Sequence, residues 1–125
     1  TWTDNVVQVD TVTAVVVRHG SHGSTKEWHR APSAGCLLST LAGWLPRCIG
    51  LETPPDGTCR LQIAVANTRP TMVNLGRKLG RVGGFSGRMV LRVNGPTLWL
   101  LRCAEVVGLG GRVAFGFGRI RVSEL

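Results

Sequence analysis

Five glycines and three arginines gather near the C-terminus. The segment Gly108-Leu109-Gly110-Gly111-Arg112-Val113-Ala114-Phe115-Gly116-Phe117-Gly118 reads glycine-hydrophobic-glycine, five residues, then glycine-hydrophobic-glycine. Arg119 and Arg121 alternate just beyond it. Glycine lets the backbone approach a ligand closely and aim several N–H groups at it. Guanidinium groups grip phosphate at two points. Backbone donors, Arg112, Arg119, Arg121 and flat rings together suit a sugar-phosphate strand and its bases. A dinucleotide fingerprint needs glycine where Val113 stands, and its loop runs from strand into helix, the reverse of the order here. No G-x-x-x-x-G-K-[ST] occurs. The bland alternative is a glycine turn followed by core rings, and for Phe115 and Phe117 the core reading is preferred.

Other side chains offer less chemistry. His19, His22 and His29 all fall in the polar stretch Arg18–Pro32. His29, beside Trp28 and Arg30 and just ahead of a helix, is the best local candidate for a general base. His19 and His22 read as loop residues. Cys36, Cys48, Cys59 and Cys103 form no C-x-x-C pair, which argues against zinc. Cys36, Cys48 and Cys103 lie in apolar stretches and read as small core residues with free thiols. No metal and no cofactor is expected.

Charge sharpens the ligand class. The 125 residues carry 15 Lys+Arg against 7 Asp+Glu, a formal +8, and only Lys26 and Lys78 are lysines. The excess is local: residues 57–125 hold eleven basic and two acidic residues, and no acid occurs from Gly57 to Ala104. A polyanionic partner, nucleic acid, is the leading inference. An arginine-rich genome alone would not concentrate charge in this way. No run approaches the roughly 18 apolar residues of a membrane span. Thr1–Asp10 has no signal-peptide pattern, so no membrane partner and a cytoplasmic location are expected.

These residues need a scaffold. Val6–Val17 is rich in β-branched residues and predicts a strand, bent or bulged for its length. Leu37, Leu38, Leu41, Trp44, Leu45, Cys48 and Ile49 recur at helical spacing, with Ser33 as N-cap and Pro46 as a kink or interruption. TPPDG (53–57) is a turn. Arg60–Asn67 alternates as a second strand, with Leu61, Ile63 and Val65 on one face. Thr68–Ser86 reads as a long, glycine-rich basic connection, the most mobile part of the free protein, with Arg69, Arg77, Lys78 and Arg81 either gripping a nucleic-acid backbone, the preferred reading, or forming an exposed basic loop that is disordered without a ligand. Gly87–Val93 is a third strand. Asn94-Gly95-Pro96 opens a helix that ends near Gly108, and a last strand spans about Ala114–Val122. The order βαββαβ is the ferredoxin-like, RRM-like pattern, an α+β fold with a four-stranded antiparallel sheet and both helices on one face. That pattern alone does not assign function.

The segment Gly83-Gly84-Phe85-Ser86-Gly87, a short strand, a helix with Leu100-Leu101-Arg102-Cys103-Ala104-Glu105, and then GLGGRVAFGFGRIRV together resemble the C-terminal domain of the CRISPR repeat-processing endoribonucleases, of the RAMP superfamily. The resemblance runs from Asn74 to Val122; from Val6 to Ala66 it covers only the order of elements. It implies binding of CRISPR repeat RNA, with Gly108, Gly110, Gly116 and Gly118 in the supporting loop. It also implies metal-independent cleavage of precursor CRISPR RNA, in which the 2′-hydroxyl attacks the adjacent phosphate and leaves a 2′,3′-cyclic phosphate. Such proteins carry two ferredoxin-like domains with RNA in the basic cleft between them, and the catalytic His usually lies in the first. Residues 1–125 have room for one. The expected partners are therefore CRISPR repeat RNA and an N-terminal ferredoxin-like domain or a partner CRISPR-associated subunit. The alternative is a non-catalytic RAMP subunit of a CRISPR RNA-guided complex; a weaker one is a general RNA-binding module.

Overall fold

The computed structural model describes residues 5–15, 18–19, 27–28, 32–74, 81–110 and 118–125. Strand β1 (Asn5–Thr11) sends Val7 and Val9 inward, both fully buried. Beyond Thr11 the chain leaves the regular ladder and touches the sheet again through a bridge from Val15 to Phe85. The expected irregularity is a bulge: the N–H groups of Val12 and Thr13 both donate to the Arg119 carbonyl, and Val15 still pairs with Phe85. Two short strands, β2 (Arg18–His19) and β3 (Glu27–Trp28), pair as a separate ribbon.

The first helical segment runs without a break through α1 (Ala34–Leu38), a wide π-type stretch (Ser39–Trp44) and α2 (Leu45–Cys48). Ser33 caps it, its Oγ accepting from the Cys36 N–H at 3.2 Å. Pro46 does not end the helix. The turn before it widens, with the Leu45 N–H donating to the Thr40 carbonyl five residues back, and this makes room for a ring that cannot join the ordinary ladder. A wide turn holds more than 3.6 residues, so the apolar stripe slips in phase. Leu37, Leu41, Leu45 and Pro46 are buried, whereas Trp44 and Cys48, expected on the inner face, are exposed.

Strands β4 (Leu61–Asn74) and β5 (Arg81–Val93) correct the expectation of a long connection. They pair from Leu61↔Val93 to Asn74↔Arg81 with a single register shift, so residues 68–74 and 81–86 are paired sheet. Pro70 and the Gly83-Gly84 pair look like strand breakers in sequence. Pro70 is tolerated because its partner Phe85 exchanges both backbone hydrogen bonds with Val15 on the other side. Pro70 therefore occupies a non-hydrogen-bonded position on an edge strand, where no N–H is needed. A bulge between Ile63 and Val65 swaps faces: Leu61 and Ile63 point to the core, but Val65 turns outward, 57 % exposed, and Ala66 sits opposite buried Met89.

Helix α3 (Gly95–Val107) starts at Asn94, whose Oδ1 accepts from the N–H groups of Thr97 and Arg60 while its Nδ2 donates to the Thr58 carbonyl at 2.7 Å. One side chain thus caps the helix and fixes the entry to β4. Strand β6 (Ile120–Glu124) completes an antiparallel sheet of order β4-β5-β1-β6. Residues 111–117, including the expected start of this strand, lie outside the described residues. Leu37, Leu41, Leu45, Leu100, Leu101 and Ala104 from the helices pack on Val7, Val9, Met89, Leu91, Val93 and Val122 from one sheet face. The fold is the α+β, ferredoxin-like arrangement expected, with both helical segments on one face and, among the described residues, no helix on the other.

Candidate nucleic-acid interface

Period-two alternation decides what the open face carries. With Val7, Val9, Met89, Leu91, Val93 and Val122 committed to the core, their neighbours Gln8, Asp10, Arg88, Arg92 and Arg121 face away from the helices. The register aligns Asn67, Arg88, Asp10 and Arg121 in one row across all four strands. Arg69 stands one step further along β4, opposite Ser86. Arg69, Arg88, Arg92, Arg119 and Arg121 are all exposed. Arg69 and Arg121 thus belong to opposite edges, roughly 15 Å apart at three strand spacings.

Asp10 is the acid of that row. Its Oδ1 accepts from Arg88 Nε at 2.8 Å and its Oδ2 from Gln8 Nε2 at 3.0 Å. The hydrogen bond from Arg88 and that from Gln8 hold its carboxyl below the usual range; its slight burial opposes them, and the charges of Arg88 and Arg121 add to the lowering. Arg102, by contrast, is committed to structure. It donates to Glu105, Glu124 and the Val122 carbonyl, tying α3 to β6.

The root of the glycine loop lies at one end of this face. Gly108, Gly110 and Gly118 are buried, with φ of 110°, 90° and 77°. The Leu109 N–H donates to the Gly118 carbonyl at 2.8 Å, and the Gly118 N–H to the Ala14 carbonyl at 2.7 Å. The Arg119 N–H donates to Thr13 Oγ1 at 2.9 Å, and the Gly87 N–H to Thr11 Oγ1 at 2.8 Å. Thr11, Thr13 and Ala14, at and just beyond the end of β1, therefore fasten Gly87, Gly118 and Arg119 to one spine. Gly111, Arg112, Gly116, Arg77, Lys78 and His29 lie outside the described residues, as do His22, Phe115 and Phe117. Arg81 is placed by its backbone, paired with Asn74. His19 pairs with Glu27 in the small ribbon.

Sequence reasoning missed Arg88 and Arg92. The signal was present in strand 87–93, where Arg88, Val90 and Arg92 alternate with Met89, Leu91 and Val93. Among the described residues, the open face bears no aromatic ring; the exposed Trp44 and Trp99 belong to the helices. What this face offers is charge and hydrogen-bond donors, which suit a phosphate backbone better than stacked bases. The four cysteines are free thiols. Burial pushes the Cys36 thiol up to about 11 despite its Ser33 contact, far from the thiolate a nucleophile needs. No described helix is long and apolar enough to cross a membrane.

A ferredoxin-like α+β domain with a cationic open sheet face and a glycine-rich turn after its second helix is the class that these features define. The profile of the CRISPR-associated endoribonuclease Cas6 matches residues 7–120, and the chain belongs to that family. The fold is similar to a Thermus thermophilus Cas6 in a product complex, at TM-score 0.69 and 18 % identity, covering 94 % of this chain and 50 % of that one. It is similar to a Cas6-related protein from Pyrococcus furiosus, at TM-score 0.66 and 18 % identity, covering 98 % and 49 %. A RAMP protein that binds different RNA substrates gives TM-score 0.67 and 21 % identity, covering 95 % and 49 %. The chain spans about half the length of these solved relatives. Comparison with curated proteins gave no match.

Proposed function

We propose that this chain binds CRISPR repeat RNA on its open sheet face and takes part in metal-independent processing of precursor CRISPR RNA. The observation that carries the reading is the set of exposed arginines, Arg69, Arg88, Arg92, Arg119 and Arg121, on or beside the sheet face that no described helix covers, in a member of the Cas6 family. Arg112, Gly111 and Gly116 of the glycine-rich segment, and Arg77, Lys78 and Arg81, extend that surface in this reading. The arginines neutralise phosphates and hold the strand in register.

Cleavage then proceeds by attack of the RNA's own 2′-hydroxyl on the adjacent phosphorus. The P–O5′ bond breaks, leaving a 2′,3′-cyclic phosphate and a 5′-hydroxyl. A base takes the 2′ proton, an acid supplies one to the departing 5′ oxygen, and a cation steadies the charge gathering on the phosphoryl oxygens. In this reading the chain is the C-terminal half of a two-domain arrangement in the cytoplasm, and the first domain or a partner CRISPR-associated subunit supplies the base. His29 is the local alternative.

The test is cleavage of the CRISPR repeat of its own genome, in EDTA, by this chain alone and joined to the N-terminal domain. A single cut in EDTA that depends on the N-terminal domain supports the reading. Tight binding without a cut in either form favours a non-catalytic RAMP subunit. Equal affinity for RNA and for unrelated polyanions would sink both.

A further inference from the structure

An acid in the middle of a cationic face works against capture of a polyanion. Asp10 occupies that place, with Arg88 on one neighbouring strand and Arg121 on the other. Both of its oxygens are engaged, Oδ1 by Arg88 Nε at 2.8 Å and Oδ2 by Gln8 Nε2 at 3.0 Å. Gln8 stands two residues away on the same strand face, so the carboxylate is braced from its own strand. The Arg88 side chain is 62 % exposed. An arginine that exposed samples many rotamers unless something holds it, and ordering it on binding costs affinity. Asp10 takes the Nε edge and leaves the paired Nη groups for another acceptor. That fork is the geometry that meets phosphate at two points.

We infer that Asp10 is a positioning residue of the RNA-binding face: braced by Gln8, it pre-orders the Arg88 guanidinium with its Nη edge set toward a backbone phosphate. The inference rests on the reading of this face as the RNA surface. It assigns Asp10 a role opposite to the one its charge implies.

The two roles predict opposite outcomes for one substitution. Asp10→Asn removes a negative charge from a surface that binds a polyanion. Charge alone makes binding tighter. Loss of positioning makes it weaker, by roughly three- to tenfold, the usual cost of ordering one long side chain. The measurement is fluorescence anisotropy with labelled oligouridylate over a series of salt concentrations, on variants whose melting temperatures are matched to the parent. Asp10→Asn should weaken binding and lower the salt slope by about 0.7, one phosphate contact on a single strand. Arg88→Lys keeps the charge but loses the fork, and should show a comparable loss. In an Arg88→Ala background, Asp10→Asn should no longer weaken binding, because the side chain that it orients is gone. Tighter binding by Asp10→Asn alone, or an equal loss with and without Arg88, overturns the inference. If Arg69→Ala and Arg121→Ala also leave affinity and slope unchanged, it is the RNA face itself that fails.

Discussion

The Leu109 N–H donates to the Gly118 carbonyl at 2.8 Å, closing the base of the glycine loop nine residues apart in sequence. Leu109 is 1 % exposed, so this closure is anchored in the core. The same Gly118 hands its N–H to Ala14, and the Arg119 carbonyl accepts from Val12 and Thr13. The loop root therefore belongs to the scaffold, and the arginines that follow inherit its position.

Gly118 has no room for a side chain. Its φ is 77°, and an added Cβ would run into the Leu109 carbonyl oxygen and lie 2.9 Å from the Leu109 carbonyl carbon. Gly57 has a similar φ of 84° with nothing within 4 Å. Gly57→Ala should cost only left-handed strain, about 1 kcal/mol. Gly118→Ala should cost more, about 3 kcal/mol or above, since backbone must also move. Urea unfolding of the pair checks this, and equal losses would show that the contact at Leu109 relaxes freely.

The order of elements was legible because the core alternates so regularly: Val7 and Val9, then Met89, Leu91 and Val93, point one way. The caps at Ser33 and Asn94 were legible for the same local reason. The hairpin was not. Pro70, Gly83 and Gly84 oppose strand formation locally, and only the bridge from Val15 to Phe85 shows why Pro70 costs nothing there. The bulge at Ala64 and the wide turn before Pro46 each shift a phase by a fraction of a period, which turned Val65, Trp44 and Cys48 outward. The arginines of the proposed RNA face were hidden for a simpler reason. Arg88 and Arg92 sit inside an ordinary alternating strand, and their shared exposure on one face becomes legible only once the helices are known to cover the other side.

Thiol reactivity should follow burial rather than sequence setting. Cys48 is exposed, whereas Cys36 is half-buried against the core with its thiol pushed up to about 11. Near pH 8 roughly one Cys36 in a thousand is then thiolate. A limiting thiol reagent read by peptide mass should label Cys48 well before Cys36. Labelling of Cys36 first would place its helix in a more open setting.

Stability should fall in acid through the α3–β6 tie. Burial raises the Glu105 carboxyl, but the Val122 N–H and Arg102 together outweigh it and hold it below the usual Glu range. The unfolded chain therefore binds more protons in that window, and folding stability rises with pH across it. The contribution is complete above the ordinary Glu value, about 4.3, and is lost as pH drops through the lower folded value. Asp10 acts in the same direction. Glu105→Gln keeps an acceptor for Val122 and should flatten the fall in urea midpoint between neutral pH and about pH 3. An unchanged fall would assign acid lability elsewhere.

Two kinds of arginine are exposed on this domain, and salt separates them. Arg102 is spent on Glu105, Glu124 and the Val122 carbonyl. Arg69 and Arg121 lie on the open face, where each phosphate neutralised releases counterions. Arg69→Ala and Arg121→Ala should each lower the salt slope of binding to a single-stranded RNA by about 0.7 and leave urea stability within about 0.5 kcal/mol. Arg102→Ala should do the reverse, lowering stability while the slope stays the same. Anisotropy titrations at several salt concentrations, paired with unfolding curves, measure both quantities on the same samples. Should Arg102→Ala flatten the slope and Arg121→Ala not, the polyanion lies on the helical side, and the open sheet face serves another purpose.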